Sequence, residues 1–251
     1  MSKKRRSKRT IAGKNGDLYD KAIDLYLNDN RPDEALRILI KIAKKGYKRA
    51  FGEIGVILYR EKHDAEKAED WFVKAEKEGA LIEEASYEYG MLHYLEKNDW
   101  ETGLSYLIKS AEQGYELSYG DIGAILYLYE SDIENAEKWF EKAEETDFLL
   151  APAAFYYGQL LLIERNDWEK SKKCFKKSSE EGFKPAYAEY ASILYLHDSD
   201  VDKAEMYFKM AEENDCLTSP HAYNYGELLI RERNEIEKGN KYMDLAEKDM
   251  D

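Results

Sequence analysis

Four histidines, two cysteines and a run of evenly spaced aspartates are the side chains with which this chain could do chemistry. A catalytic dyad or a metal centre needs such groups at spacings that a helix or turn can bring together. The histidines are not so placed. His63 and His197 fall in expected helix-helix turns, His221 in an expected loop, and His93 at a position otherwise held by apolar residues. Cys174 and Cys216 occupy unrelated positions, one in an expected helix and one in an expected loop, so neither a disulfide framework nor a metal knuckle is indicated. The glycine pairs Gly52/Gly55 and Gly120/Gly123 lack the preceding strand and the following Lys-Ser/Thr of a phosphate loop. No enzyme activity and no cofactor is expected.

The aspartates have a structural use. Asp64, Asp99, Asp132, Asp167 and Asp200 recur at steps of 35, 33, 35 and 33 residues. Each precedes an apolar-periodic segment and has an acidic residue two positions later, as a helix N-cap should. Pro32 stands one place after the equivalent position in the first such segment, which suits the first residue of a helix whose cap is replaced by Arg31. Gly46, Gly79, Gly114 and Gly182 follow the last turns of these helices and suit a left-handed closing residue, with Asp147 and Asp215 replacing Gly elsewhere.

These marks belong to a repeat. Segments beginning FGEIGVILY at 51, YGDIGAILY at 119 and YAEYASILY at 187 step by 68 residues, and a second series at 87, 155 and 223 steps by 68 as well. One small residue marks each unit: Ala22, Gly55, Gly90, Gly123, Gly158, Ala191 and Gly226, alternately 33 and 35 apart. A unit of about 34 residues holds two short helices that cannot bury their apolar faces alone and must stack on neighbours. The prediction is an all-α superhelix of seven helix-turn-helix repeats, at 17–48, 49–82, 83–116, 117–150, 151–184, 185–218 and 219–251, behind a basic, disordered tail at 1–16. Small residues in the second helices, such as Ala68, Gly103 and Ala136, are expected to meet the markers.

The formal net charge is −14, and the first sixteen residues carry seven basic groups and no acidic one, which leaves the body at −21. So acidic a body repels a phosphate backbone, and nucleic-acid binding falls to the tail residues Lys3, Lys4, Arg5, Arg6, Lys8 and Arg9 if it occurs. The tail is equally readable as a solubilising terminus. No secretory signal follows it and no segment is apolar enough to span a membrane, so a cytoplasmic location is expected.

The stretch DAEKAEDWFVKAEKEG at 64–79 closely resembles the ending of the Sel-one-like repeat, and the whole pattern from 17 to 248 resembles the tetratricopeptide repeat superfamily. The helix-helix turn departs from the Sel-one-like pattern by lacking its Gly-x-Gly-Val segment. The resemblance implies first helices that line a concave groove, and an adaptor role in protein assemblies. By that analogy Tyr26, Tyr59, Tyr94, Tyr127 and Tyr195, four residues after the markers, face the groove, together with Tyr19, Tyr87, Met91, Phe155 and Tyr223. Tyrosine joins a large apolar area to a water-tolerant hydroxyl, which suits the gripping of a peptide. Any one of them can instead fill a gap between repeats. Glu53, Glu88, Asp121, Glu189 and Glu227 lie around the ladder and make an acidic groove for a basic protein or peptide segment. The alternative function is a nucleic-acid- or ribosome-associated factor acting through the tail. Met243 and Leu245 in the final repeat leave a homodimer contact and simple end fraying as open readings.

Overall fold

The computed structural model describes the backbone of residues 2–248 and the side chains of residues 13–247. Within these residues every regular element is helical, and the helices form seven pairs. These are α1 (Ser2–Leu27) with α2 (Pro32–Ala43), α3 (Ala50–Arg60) with α4 (Ala65–Lys77), and α5 (Glu83–Met91) with α6 (Trp100–Glu112). There follow α7 (Ser118–Ile125) with α8 (Ile133–Glu145), α9 (Ala151–Ile163) with α10 (Trp168–Glu180), α11 (Ala186–Leu196) with α12 (Val201–Glu213), and α13 (Ser219–Arg233) with α14 (Ile236–Lys248). Two first helices run on into a π-helical turn, Leu92–Glu96 after α5 and Leu126–Glu130 after α7. The chain divides into two units, Met1–Ser118 and Tyr119–Asp251, each built by the same rules.

Helix ends are set by local hydrogen bonds. Asp64, Asp99, Asp132, Asp167 and Asp200 are the N-caps of their helices, each accepting from the backbone N–H three residues on, at 3.0–3.3 Å. Arg31 makes no side-chain cap, and Pro32 supplies the preset backbone angle instead. Gly46, Gly79, Gly114 and Gly182 close the second helices in the left-handed region, and Asp147 and Asp215 do the same at φ 61° and 54°. A second left-handed row lies in the turns inside each pair: Asn30, His63, Asn98, Ser131, Asn166, Ser199 and Asn234, with φ between 51° and 58°. Short polar side chains tolerate this conformation best, which accounts for the Asn-rich composition of the row. His63 thus holds a turn. α1 packs from Asn15, which is buried, so ordered packing begins ahead of residue 17.

The cores form where second-helix aromatics press on the markers. Phe72, Phe140, Phe175 and Phe208 are fully buried, each burial being worth about 1.5–3 kcal/mol. A β-carbon on Gly55 would come 2.5 Å from the Phe72 ring, and one on Gly123 or Gly158 would come 2.8 Å from Phe140 or Phe175. Elsewhere small does meet small: β-carbons on Gly90 and Gly226 would stand 3.0 and 2.7 Å from the carbonyl oxygens of Gly103 and Gly239. Buried serines in the second helices are satisfied by first-helix carbonyls, Ser110 on Glu83 at 2.6 Å, Ser178 on Ala151 at 2.7 Å and Ser171 on Gly158 at 2.8 Å.

Successive pairs are tied by repeated contacts. Tyr19 packs on Tyr47, Tyr87 on Tyr115 and Phe155 on Phe183, always 28 residues apart. Arg165 forks between Glu134 and Glu137, and Arg233, 68 residues later, forks in the same way between Asp202 and Glu205.

Gly55→Ala is expected to destabilise the protein by about 1–3 kcal/mol through overpacking, although alanine improves helix propensity by about 1 kcal/mol. The cost should shrink when Phe72 is also Leu. Urea unfolding followed by far-UV circular dichroism checks both; a Gly55→Ala midpoint at or above wild type overturns the packing assignment.

Candidate functional site

The ladder residues fall into three environments. Tyr26, Tyr59, Tyr87, Met91, Tyr94, Tyr127 and Tyr195 are half-buried, with part of each side chain at the surface of the first helices. Tyr19 and Phe155 are buried, at 7% and 8% exposure, and cannot grip a partner. The reason is the inter-repeat contact just described: Tyr19 also donates to Glu53 Oε1 at 2.7 Å, and Phe155 is enclosed by Tyr156, Phe175 and Phe183. Tyr223 holds the equivalent position in the last pair and is exposed at 43%. The residue 28 places further on is Asp251, so this aromatic position has no matching ring in the sequence.

Burial raises the phenol pKa along the ladder. Tyr59 is pushed up to about 12, by burial first and by Glu96 and Glu88 beside it. Tyr127 is raised by burial and by Glu164 and Glu189, and Tyr195 by burial and by Glu227, with Arg231 opposing. All three stay neutral hydrogen-bonding groups near neutral pH.

The carboxylates read as an acidic lining are largely engaged within the chain. Glu88 is buried and accepts from Arg60 Nε at 2.6 Å, while Arg60 also reaches Glu84 and the Tyr115 hydroxyl. Glu53 is buried and takes the Tyr19 hydroxyl. Glu189 contacts Gln159 and His221, Glu227 pairs with Arg231, and Asp121 has a partner of its own. The free charge lies elsewhere. Glu96, Glu164 and Glu232, six residues past their markers, are exposed and carry no ion pair among the described residues.

One row of surface residues escapes a reading based on periodicity. Five residues past the markers stand Leu27, Leu95, Leu128, Ile163 and Leu196, exposed by 42–65%, with Arg60 and Arg231 at the two remaining equivalents. Each unit keeps the same register along this rim: Tyr26 lies beside Arg60 and Glu61, and Tyr195 beside Arg231 and Glu232. The tyrosine of one pair therefore abuts the fifth and sixth positions of the next.

The other residues weighed for chemistry have local partners. His93 is buried, with Nδ1 3.3 Å from the Asp99 cap and its ring against Tyr89 and Tyr106. His197 stacks on Trp168 at 4.7 Å. His221 stands in the first turn of α13 and not in a loop, between Thr218 and Glu189; Pro220 starts that helix earlier than the apolar pattern does. Cys174 is buried, which pushes its thiol up to about 12. No group of three or more His, Cys, Asp or Glu among the described residues could hold a metal ion, and no helix there is long and apolar enough to cross a membrane. The tail side chains Lys3, Lys4, Arg5, Arg6, Lys8 and Arg9 lie outside the described residues.

Burial raises the Glu53 carboxyl pKa, opposed by the Tyr19 hydrogen bond. A carboxyl whose folded pKa is raised penalises the folded state once pH exceeds that pKa, and does not do so below the unfolded value. Glu53→Gln keeps an acceptor for Tyr19 and should raise the melting temperature at pH 7. The gain should fade as the pH drops into the ordinary carboxylate range, about 4.3. Thermal melts from pH 4 to 8 check this, and a pH-independent difference overturns it.

No protein-family model matches the chain, and no curated protein matches it. Solved structures do. A protective antigen of uropathogenic Escherichia coli displaying an SLR fold is 20% identical with a TM-score of 0.66, over 96% of this chain. This chain spans 55% of the length of that antigen. A Sel1 repeat protein from Oxalobacter formigenes is 19% identical with a TM-score of 0.60, covering 92% of this chain and 99% of its own. A tetratricopeptide repeat protein from Parabacteroides merdae is 16% identical with a TM-score of 0.53, covering 93% and 92%. Similarity at such low identity across nearly the whole length is similarity of backbone, and with the two-beat register of caps and markers it identifies the chain as a helical-repeat protein of the tetratricopeptide and Sel1-like fold.

Proposed function

We propose that the chain is a non-enzymatic scaffold that binds a protein segment across the exposed face of its first helices. The observation that carries this reading is the row of half-buried tyrosines, Tyr26, Tyr59, Tyr94, Tyr127 and Tyr195, set one per repeat at the ends of neighbouring helices. A ring held by its neighbours along one edge, with the other edge free, has lost most of its rotamer freedom before a partner arrives, so less entropy is given up on binding. Aromatic side chains placed in this way supply most of the energy of protein recognition sites. Repeats add to the effect, because each rung makes a small contribution and the rungs are held at fixed intervals.

Support for a non-catalytic role comes from what the titratable groups already do. The aspartates cap helices, the histidines face caps, rings or turns, and the buried carboxylates are paired. General acid-base work needs a group that can reach a substrate and is not bound up in the fold.

The test is affinity capture with the intact chain beside the Tyr59→Ala/Tyr94→Ala/Tyr127→Ala variant. Alanine keeps the β-carbon of Tyr94 that packs on Gly103, so the helix contact survives. Partners retained by wild type should be lost from the variant, with an unchanged far-UV spectrum. Equal capture removes the binding site from this face.

A further inference from the structure

The exposed aliphatic row is the feature the fold does not use. Leu128, Ile163 and Leu196 occupy the same register in three successive repeats of the second unit, and all three are largely in solvent. Single exposed leucines are ordinary, but a row repeated at one register is a contiguous apolar surface. The rim register extends it. The fifth position of one pair lies beside the tyrosine position of the pair before, as Arg231 lies beside Tyr195. By that rule Ile163 adjoins Tyr127 and Leu196 adjoins Leu162, which makes an apolar strip from Leu128 to Tyr195. Tyr129 continues it toward Tyr156. Glu164 and Glu232 stand along its edge, near Tyr127 and Tyr195, with no cation of the chain paired to them among the described residues.

We infer that this strip is a docking site for an amphipathic helix of a partner protein, one with an aliphatic stripe flanked by Lys or Arg. The inference rests on the scaffold reading and names the partner's chemistry. Two observations select it. The strip is apolar with unpaired carboxylates at its edge, so the complementary surface is aliphatic with cations beside it. Packed helices stand about 8–10 Å apart, which sets the spacing of the aliphatic rungs, and residues i and i+7 of a helix are about 10.5 Å apart along its axis. A guest helix with apolar residues at that interval places one on each of the three rungs.

The experiment uses the full chain and a synthetic helical peptide with leucines at i, i+3, i+7, i+10 and i+14 flanked by lysines. Controls are the same peptide with its lysines replaced by glutamates, and one with its leucines replaced by serines. Fluorescence anisotropy should show binding of the lysine peptide alone, weakening as salt is added. Leu128→Ser/Ile163→Ser/Leu196→Ser should lose at least tenfold in affinity while its melting curve stays that of wild type, because these side chains contribute little to the core. Glu164→Gln/Glu232→Gln should weaken binding by several-fold at low salt only. Equal affinity of wild type and the serine variant overturns the inference, as does equal binding of the lysine and glutamate peptides. If the tyrosine variant loses the peptide and the serine variant keeps it, the scaffold reading stands and the strip is excluded. If both keep it, both fail. Light scattering that finds a wild-type dimer abolished in the serine variant makes a second copy the occupant and also overturns the inference.

Discussion

Each helix of this chain is too short to hold itself together in water, and each is apolar along one side. The structure depends on how closely the two helices of a pair approach. At Gly55, Gly123 and Gly158 the missing side chain is what lets a phenylalanine ring lie flat against the first helix, and at Gly90 and Gly226 it lets two backbones touch. The two solutions fill the same space differently. A ring on a glycine buries more area, whereas backbone on backbone brings the helices closer and leaves the bulky residues to Leu107 or Met243. Alternation of 33- and 35-residue steps separates repeat types at this very point, because Gly103 and Gly239 stand where Ala68 and Ala136 stand in the other series.

Once a pair is closed, its outer surfaces have to be matched to those of the next. Apolar stacking alone leaves the offset between pairs loosely specified, since one apolar surface slides on another at little cost. Directional contacts specify it. The tyrosine on tyrosine contact of Tyr87 with Tyr115 and the forked Arg165 and Arg233 each require a set offset, and they recur at constant sequence separation. Individually such exposed ion pairs are worth roughly 0–1 kcal/mol. Their role is therefore one of register more than of stability, and register is what aligns one tyrosine or one leucine per repeat into a row.

Much of this was legible in the sequence because the signals are local. An aspartate before an apolar period is an N-cap, and a glycine after it is a left-handed close, whatever the distant contacts are. The second left-handed row, Asn30 to Asn234, was equally local and was overlooked, since the capping aspartate that follows most of these residues draws the eye. What could not be read was the state of each polar group. Glu53 and Glu88 look like surface acids by type, yet one is buried under Tyr19 and the other under Arg60, and both partners come from a neighbouring repeat. Sequence pattern also sorts every periodic leucine into the core. The fifth residue past the marker is 140° around the helix from it at about 100° per residue, and only the placement of the next repeat decides whether that direction is covered.

That last point bears on why an exposed row can persist. Side chains at this register do not hold the fold, so the fold sets no demand for leucine there, and Arg60 and Arg231 show that a charged residue is accommodated. Arg60 is recruited into the Glu84 and Glu88 cluster, and Arg231 into a pair with Glu227. Both turn the position inward, to ionic contacts within the chain. Leucine or isoleucine at the other five positions has no such inward use and leaves about half of a large apolar side chain in water. A body of strong negative charge offsets the solubility cost of this surface by keeping copies apart, and the same charge favours a guest of opposite sign. The features that protect the row from self-association thus narrow the class of surface that fits it.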